Sequence, residues 1–434
     1  MEDKEDMARR RFLASVMLIV TLSACSLPLL AARPAADKIT ITYWTHVNPP
    51  AQAVEKKLVA RYQALHPGVS IDYLPLDFNS LPTKLTTAVA GGGGPDLFNL
   101  FQSFVPALVQ RQFVVPVDFK AFGVGDRAGF ATHYLPSTVQ GFSFNGQVYG
   151  IPHEVSNFAF WINQSAFKAA GLNPAKDFPT TWDQVATLGK KLTVRKNGKT
   201  VQEGISLPLY NALRDTLVLD ALTRQAGGLL FSADGKKVYL TSPAAIKALS
   251  MWSDLVHVHK INDPSLGPTA STDNLDLFGN GTAAMTNVGG SWFISYMKAG
   301  FPKGYNSYMV GPEPHFAGGP KVGADLYGFG LFVTSTSKQQ AATWQFARFL
   351  ADNGQTYFND AGIWLGDKAT LATAKTPHWD VFKKSFGQGF FLPPLTHFNE
   401  ISAILERAIE RVALNKVSAA QSLKQAQQEV QPLL

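Results

Sequence analysis

The chain has 434 residues, enough for two or three domains with full cores. Hydrophobic residues make up 46% and charged ones 16%, while 36 Gly and 26 Pro are scattered without a period, which excludes disorder, collagen and coiled coil. The 39 Lys plus Arg against 32 Asp plus Glu leave a formal charge of +7 spread along the chain, so no basic block points to a nucleic-acid partner.

The N-terminus reads as an export signal. Arg9-Arg10-Arg11 precede an apolar run from Phe12 to Leu22, and Ser23-Ala24 supply the small residues before a cut. Leu22-Ser23-Ala24-Cys25 resembles the bacterial lipobox, and Arg9-Arg10-Arg11-Phe12-Leu13 resembles a twin-arginine motif. The competing reading is an uncleaved membrane helix, against which Pro28 interrupts the run. Residues 1–24 are thus expected to be a lipoprotein signal peptide, Cys25 the lipidated residue, and residues 25–37 a tether. Cys25 is the single cysteine, so an intramolecular disulfide and a thiolate zinc cluster are both excluded.

From Lys38 the pattern changes. Ile39, Ile41 and Tyr43 alternate at the period of a strand; Val54, Leu58, Tyr62 and Leu65 follow Pro49-Pro50 at helical spacing; Val69, Ile71 and Tyr73 alternate again after Pro67-Gly68. A helix from Pro82 to Ala90 runs through Gly91–Gly94 into the apolar strand that follows Pro95-Asp96, giving an α/β layer with a parallel core. Capping boxes are expected at Thr181–Gln184, Ser337–Gln340 and Ser418–Gln421, and an N-cap at Ser242 before Pro243. Amphipathic stripes at Ile246–Val256 and Ile401–Val412 read as core-facing helices.

Several enzymatic signatures are missing. The Gly91–Gly94 run lacks the Lys-Ser/Thr ending of a phosphate loop, Gly289-Gly290-Ser291-Trp292-Phe293 lacks the second glycine of a nucleophile elbow, and no His-Glu-x-x-His occurs. His257 and His259 have no third ligand nearby, so no metal or cofactor is expected. A glycosidase would need two opposed carboxylates. Asp96 and Asp183 instead fit a turn cap and a helix first turn.

The ordered motifs resemble the extracytoplasmic solute-binding proteins of ABC importers, in the group that binds sugars and oligosaccharides. The similarity runs from residue 38 to the end. It is carried by Ile39-Thr40-Ile41-Thr42-Tyr43-Trp44-Thr45-His46, Gly94-Pro95-Asp96-Leu97-Phe98, Gly150-Ile151-Pro152, Trp161 to Phe167 with Ala170-Gly171-Leu172, Thr181-Trp182-Asp183, and Gln225-Ala226-Gly227-Gly228. Thr241 to Ile246, Gly281 to Thr286 and Gly290-Ser291-Trp292 continue it. Two departures are Gln164 where the family usually has Lys, and Ala361-Gly362-Ile363-Trp364-Leu365 without the family's proline.

The resemblance implies an α/β, two-lobed periplasmic-binding-protein fold (type II-like) with three interlobe crossings near residues 150, 328 and 365 and a ligand cleft between the lobes. Lobe 1 is then 38–150 with 328–365, and lobe 2 is 151–327 with 366–434. It further implies a non-enzymatic monomer, lipid-anchored outside the cytoplasmic membrane, that hands its carbohydrate to importer transmembrane subunits.

Sugars present hydroxyls, which want amides, carboxylates and Arg, and apolar C–H faces, which lie on aromatic rings. Trp292 is the expected stacking ring of the Gly-Ser-Trp motif. Trp44, His46 and Asn48 follow the first strand at a switch point. Asn99, Phe101 and Gln102 follow the Pro-Asp turn, and Glu154, Ser156 and Asn157 the first crossing. Tyr210, Arg214 and Asp215 are expected from the second lobe, Asp325 and Tyr327 from the second crossing, and Trp364 and Phe398 as further stacking rings. Two alternatives stand beside this reading: a binding protein for a glycerol phosphodiester or other polar solute, and an exported carbohydrate-active hydrolase.

Overall fold

A computed structural model describes residues 38–434, except 79, 267–273, 323–324 and 387–388. The expected signal peptide, Cys25 and the tether lie outside the described residues.

The first alternating run forms strand β1 (Ile39–His46), which buries Ile41 and Tyr43 completely. Pro49 and Pro50 open helix α1 (Pro49–Leu65), where an absent N–H removes no helical bond. The helix buries Val54, Leu58 and Tyr62 but leaves Leu65 exposed at its end. Strand β2 (Val69–Leu76) then pairs parallel with β1, from Ile39 opposite Val69 to His46 opposite Leu76. Helix α2 (Leu81–Ala90) leads to β3 (Leu97–Phe101), buried at every position and parallel to β1 on its other edge. Asp96 does not cap a turn. Its Oδ2 accepts from the Thr42 amide at 2.9 Å and its Oδ1 from the Ser337 hydroxyl at 2.5 Å, so it ties β1 to a loop far along the chain.

Further elements follow in order: β4 (Ile151–Asn157), β5 (Ala159–Asn163), α3 (Trp182–Leu192), α4 (Ala212–Gln225), α5 (Pro243–His257) and β6 (Met285–Gly289). Next come α6 (Trp292–Gly300), β7 (Tyr308–Gly311), β8 (Asp325–Val333), α7 (Gln340–Ala351) and α8 (Gly354–Ala361). The chain closes with β9 (Phe390–Phe391), α9 (Phe398–Ala413) and α10 (Ala419–Val430).

Two sheets organise these elements into two lobes. The larger has the order β9-β8-β3-β1-β2, and β4 also pairs with β8. One face packs Ile41, Tyr43, Leu331 and Val333 against α1, α7 and α8, while Phe98, Leu100 and Phe332 face the opposite side with α2. The second sheet is antiparallel, β6-β5-β7. At its centre Trp161 is fully buried, its indole N–H donating to the Gly289 carbonyl at 2.8 Å and Phe293 standing edge-on at 5.1 Å. Helices α4, α5, α9 and α10 pack on one another beside it.

The three crossings lie side by side. Strand β4 pairs antiparallel with β8 from Asn157 opposite Leu326 to Ile151 opposite Leu331, and Val155 also bridges to Trp364. These three adjacent passages, tied to one another by backbone hydrogen bonds, join the two lobes.

The caps test local chemistry. Thr181 and Gln184 form the reciprocal box, and Ser242 and Ser418 accept from the amides of Ala245 and Gln421. Ser337 does not cap its helix: α7 begins only at Gln340, and the Ser337 hydroxyl is engaged by Asp96. His257, at the end of α5, is 2.9 Å from the Val412 carbonyl and serves helix packing.

Candidate functional site

The carboxyl ends of β1 and β2 point toward the second lobe, where parallel sheets place their binding crevices. There the loop from His46 to Pro49, together with Phe78 beyond β2, faces the amino end of α4 and the first turns of α6. Glu154 on β4 and Tyr327 and Phe329 on β8 form the floor. The compartment spans about 1060 Å³, part of which is open solvent. A second compartment of about 1030 Å³ continues past the waist made by His46, Phe78, Phe329, Asn211 and Leu213.

The structure brings many of the expected residues together. His46, Asn48, Glu154, Arg214, Trp292 and Tyr327 line the first compartment; Phe101, Tyr210 and Phe398 line the second. Asn99 and Ser156 stand behind the lining. Asn99 Oδ1 is 3.0 Å from His46 Nδ1, and Ser156 is buried beside Tyr327. The Trp292 indole donates to the Tyr327 hydroxyl at 2.6 Å, which fixes the ring at the cleft wall. Gly290 permits this arrangement, since a Cβ there would collide with Ser156 Oγ and crowd both Trp292 and Tyr327.

Six other expected residues lie elsewhere. Trp44 packs half-buried against the core within β1, two residues short of His46 at the strand end where the compartment opens. Gln102 accepts from the Gly328 amide at 2.9 Å and faces a separate cavity that holds Arg224 and Phe390. Asn157 is fully buried, donating to the Phe382 carbonyl at 3.1 Å. Asp215 is buried under the start of α4, close to the Asn211 amide. Trp364 is 1% exposed, its N–H donating to the Asp367 carbonyl and its ring 4.4 Å from Phe386, so it is a core ring of the third crossing.

Asp325, the sixth, is fully buried behind Phe158 in a small cavity. Burial, then the neighbouring Asp220, holds its carboxyl well above the usual range, while the Arg224 guanidinium is committed to Asp220 at 2.8 Å. A carboxyl that keeps its proton in the folded state loses stability for the fold as pH rises above its unfolded value near ~3.9. Asp325→Asn is therefore expected to raise the melting temperature, with a gain that grows between pH 5 and pH 8; thermal melts at both values check it.

Sequence reasoning missed Phe78, Phe158, Tyr296, Asn211 and Phe329 in the lining. Phe329 carried a usable signal, since it lies two residues from Tyr327 on one strand and period two puts both on the same face. Phe78 lies two residues beyond β2 as Asn48 lies two residues beyond β1, so the switch-point argument reaches it too.

Burial also sets the electrostatics. Desolvation, and then the charge of Glu55, pushes the Glu154 carboxyl up to about 8, and burial lowers the His46 imidazole. Arg214 reaches toward Asn274 at 3.5 Å. No group of three or more His, Cys, Asp or Glu that could hold a metal ion occurs among the described residues.

Residues 48–357 match the family model described as bacterial extracellular solute-binding protein. The chain is 25% identical over 387 residues to the putative ABC transporter periplasmic-binding protein YcjN of Escherichia coli, covering 85% of this chain and 83% of that protein. It is 23% identical to a mannitol-binding protein of Pseudomonas aeruginosa, over 77% of this chain and 72% of that one. The fold is similar to that of a Thermotoga lettingae ABC transporter solute-binding protein bound with α-D-tagatose, with TM-score 0.79 and 22% identity over 91% of this chain and 99% of the other.

Proposed function

Because the chain belongs to the family of bacterial extracellular solute-binding proteins, we propose that it captures a mono- or oligosaccharide between its lobes and delivers it to an ABC importer without altering it. The observation that carries this reading is the lining of the first compartment. Phe78, Phe158, Trp292, Tyr296, Tyr327 and Phe329 offer rings, and Glu154, His46, Asn48, Asn211 and Arg214 offer donors and acceptors beside them. Such a mixture matches the two surfaces of a sugar. The second compartment gives room for a further ring of an oligosaccharide.

The lining weighs against both alternatives. A phosphodiester wants a basic cluster, and Arg214 is the one Lys or Arg among the residues that line this compartment. Hydrolysis of a glycoside wants two carboxylates across the scissile bond, and Glu154 is the one carboxylate among the described residues that line this compartment.

Lobe 1 is assigned residues 38–150 with 328–365 and lobe 2 residues 151–327 with 366–434. The protein acts as a monomer held outside the cytoplasmic membrane by lipid on Cys25, where the residues of a lipobox precede the cysteine. Titration calorimetry against neutral sugars, sugar alcohols and oligosaccharides is expected to give one ligand per chain, and chromatography of the recovered ligand no product. Cleavage of a glycoside by the purified protein would overturn the non-enzymatic reading.

A further inference from the structure

Two ionisable side chains are buried face to face on the floor of the cleft. His46 ends β1 and Glu154 stands in β4; they are 8% and 6% exposed, and His46 Nε2 lies 3.7 Å from Glu154 Oε2. The other ring nitrogen, Nδ1, is 3.0 Å from Asn99 Oδ1, an acceptor, so Nδ1 carries a hydrogen. Nε2 is then the nitrogen that gains or loses the titrating proton. Phe329 lies flat against the imidazole at 4.5 Å and Phe78 edge-on at 5.8 Å, keeping the surroundings of the pair apolar.

The charge states of this pair are unequal in cost. With no titrating proton, an Nε2 lone pair faces a carboxylate in a medium that solvates it poorly. With two, an imidazolium is buried beside a neutral acid. One proton leaves the pair without net charge. The surrounding groups sharpen this preference. Glu55 of α1 lies behind the floor and is shared with His153 on the opposite face of β4. Tyr327 of β8 is held by the Trp292 indole, Arg214 of α4 reaches toward Asn274, and Tyr296 of α6 donates to Asp276.

We propose that ligand capture is linked to a single proton held between His46 Nε2 and Glu154 Oε2, which leaves the other oxygen of the neutral Glu154 carboxyl to accept a hydrogen bond from the ligand. The proposal rests on the cleft reading above. Burial already holds Glu154 at about 8 in the free protein, and closing the lobes over a ligand removes the remaining solvent and raises it further. The sign follows. The occupied state binds the proton more tightly than the open state, so binding takes up a proton once the pH exceeds about 8. Affinity then falls with rising pH, by up to about tenfold per pH unit for one linked proton.

The test is titration calorimetry with neutral pentoses, hexoses, hexitols and disaccharides, the tightest binder being carried from pH 7 to pH 9.5 in Tris and in a buffer of lower ionisation enthalpy, phosphate near neutrality and carbonate at the alkaline end. The expected result is no proton uptake at pH 7, approach to one proton per ligand at pH 9, and affinity that weakens by up to about tenfold per unit above pH 8. Glu154→Gln is expected to give buffer-independent heats and a flat affinity across that range. Equal heats and equal affinity for the wild type at pH 7 and pH 9 would overturn the proposal, as would a Glu154→Gln protein that keeps the linkage. If that variant does not fold, the two-buffer comparison on the wild type decides alone. Failure of every sugar to bind overturns the carbohydrate reading. The pair is then judged in the ligand-free protein by imidazole nitrogen shifts, where a His46 that titrates as an isolated ring refutes the shared proton.

Discussion

Trp292→Ala is expected to weaken sugar binding by roughly thirty- to a thousandfold, about 2–4 kcal/mol, while moving the melting temperature by only a few degrees. The indole stands at the first residue of α6, half-buried at the cleft wall, and its N–H is fixed on the Tyr327 hydroxyl at 2.6 Å. A ring held in this way is pre-organised, so stacking a sugar face on it costs little further ordering. Truncation removes the platform and also releases the Tyr327 hydroxyl from its donor, whereas the core beneath retains Phe293 and Met297 fully buried. Trp292→Phe separates the two effects: it keeps a ring but loses the N–H, and an intermediate loss of about tenfold is expected. Calorimetry on both variants, with thermal melts alongside, checks this. Undiminished binding by the alanine variant would remove Trp292 from the site.

The sequence reading reached the fold well where one face of an element is buried and the other wet. Ile39, Ile41 and Tyr43 alternate because β1 has such a half-buried start, and Thr181–Gln184 announces a helix because its chemistry is local. Strands β4 and β8 are buried at every position, so their alternation disappears and nothing local separates cleft-facing side chains from core ones. This is why Glu154 and Tyr327 were found together with Asn157 and Asp325, which point elsewhere. Trp364 failed for a related reason: a tryptophan near a crossing fits a stacking ring or a core ring equally well, and the partner that decides, Phe386, lies 22 residues away in the chain. Glu55 gave no signal at all. On α1 it reads as part of a solvated face, and only the long-range approach of Tyr43, Tyr73 and His153 buries it.

That carboxylate carries the largest expected effect on stability. Glu55 is 2% exposed; its Oε1 accepts from the Tyr43 hydroxyl at 2.7 Å, its Oε2 from the Tyr73 hydroxyl at 2.6 Å, and His153 Nε2 stands 3.4 Å away. It thus joins α1 to both leading strands and to the first crossing. Glu55→Ala leaves these groups without their acceptor and opens a void between helix and sheet, so a loss of about 3–5 kcal/mol is expected in denaturant titrations. Glu55→Gln preserves volume and one acceptor and is expected to lose less, about 1–2 kcal/mol. The glutamine variant also reaches the cleft, because the charge of Glu55 is one of the two causes that raise Glu154. Removing that charge lowers the Glu154 carboxyl, and the alkaline weakening of sugar affinity is expected to begin at a lower pH in Glu55→Gln than in the wild type. A glutamine variant whose affinity profile coincides with the wild type would show that the buried tie in lobe 1 and the proton on the cleft floor act independently.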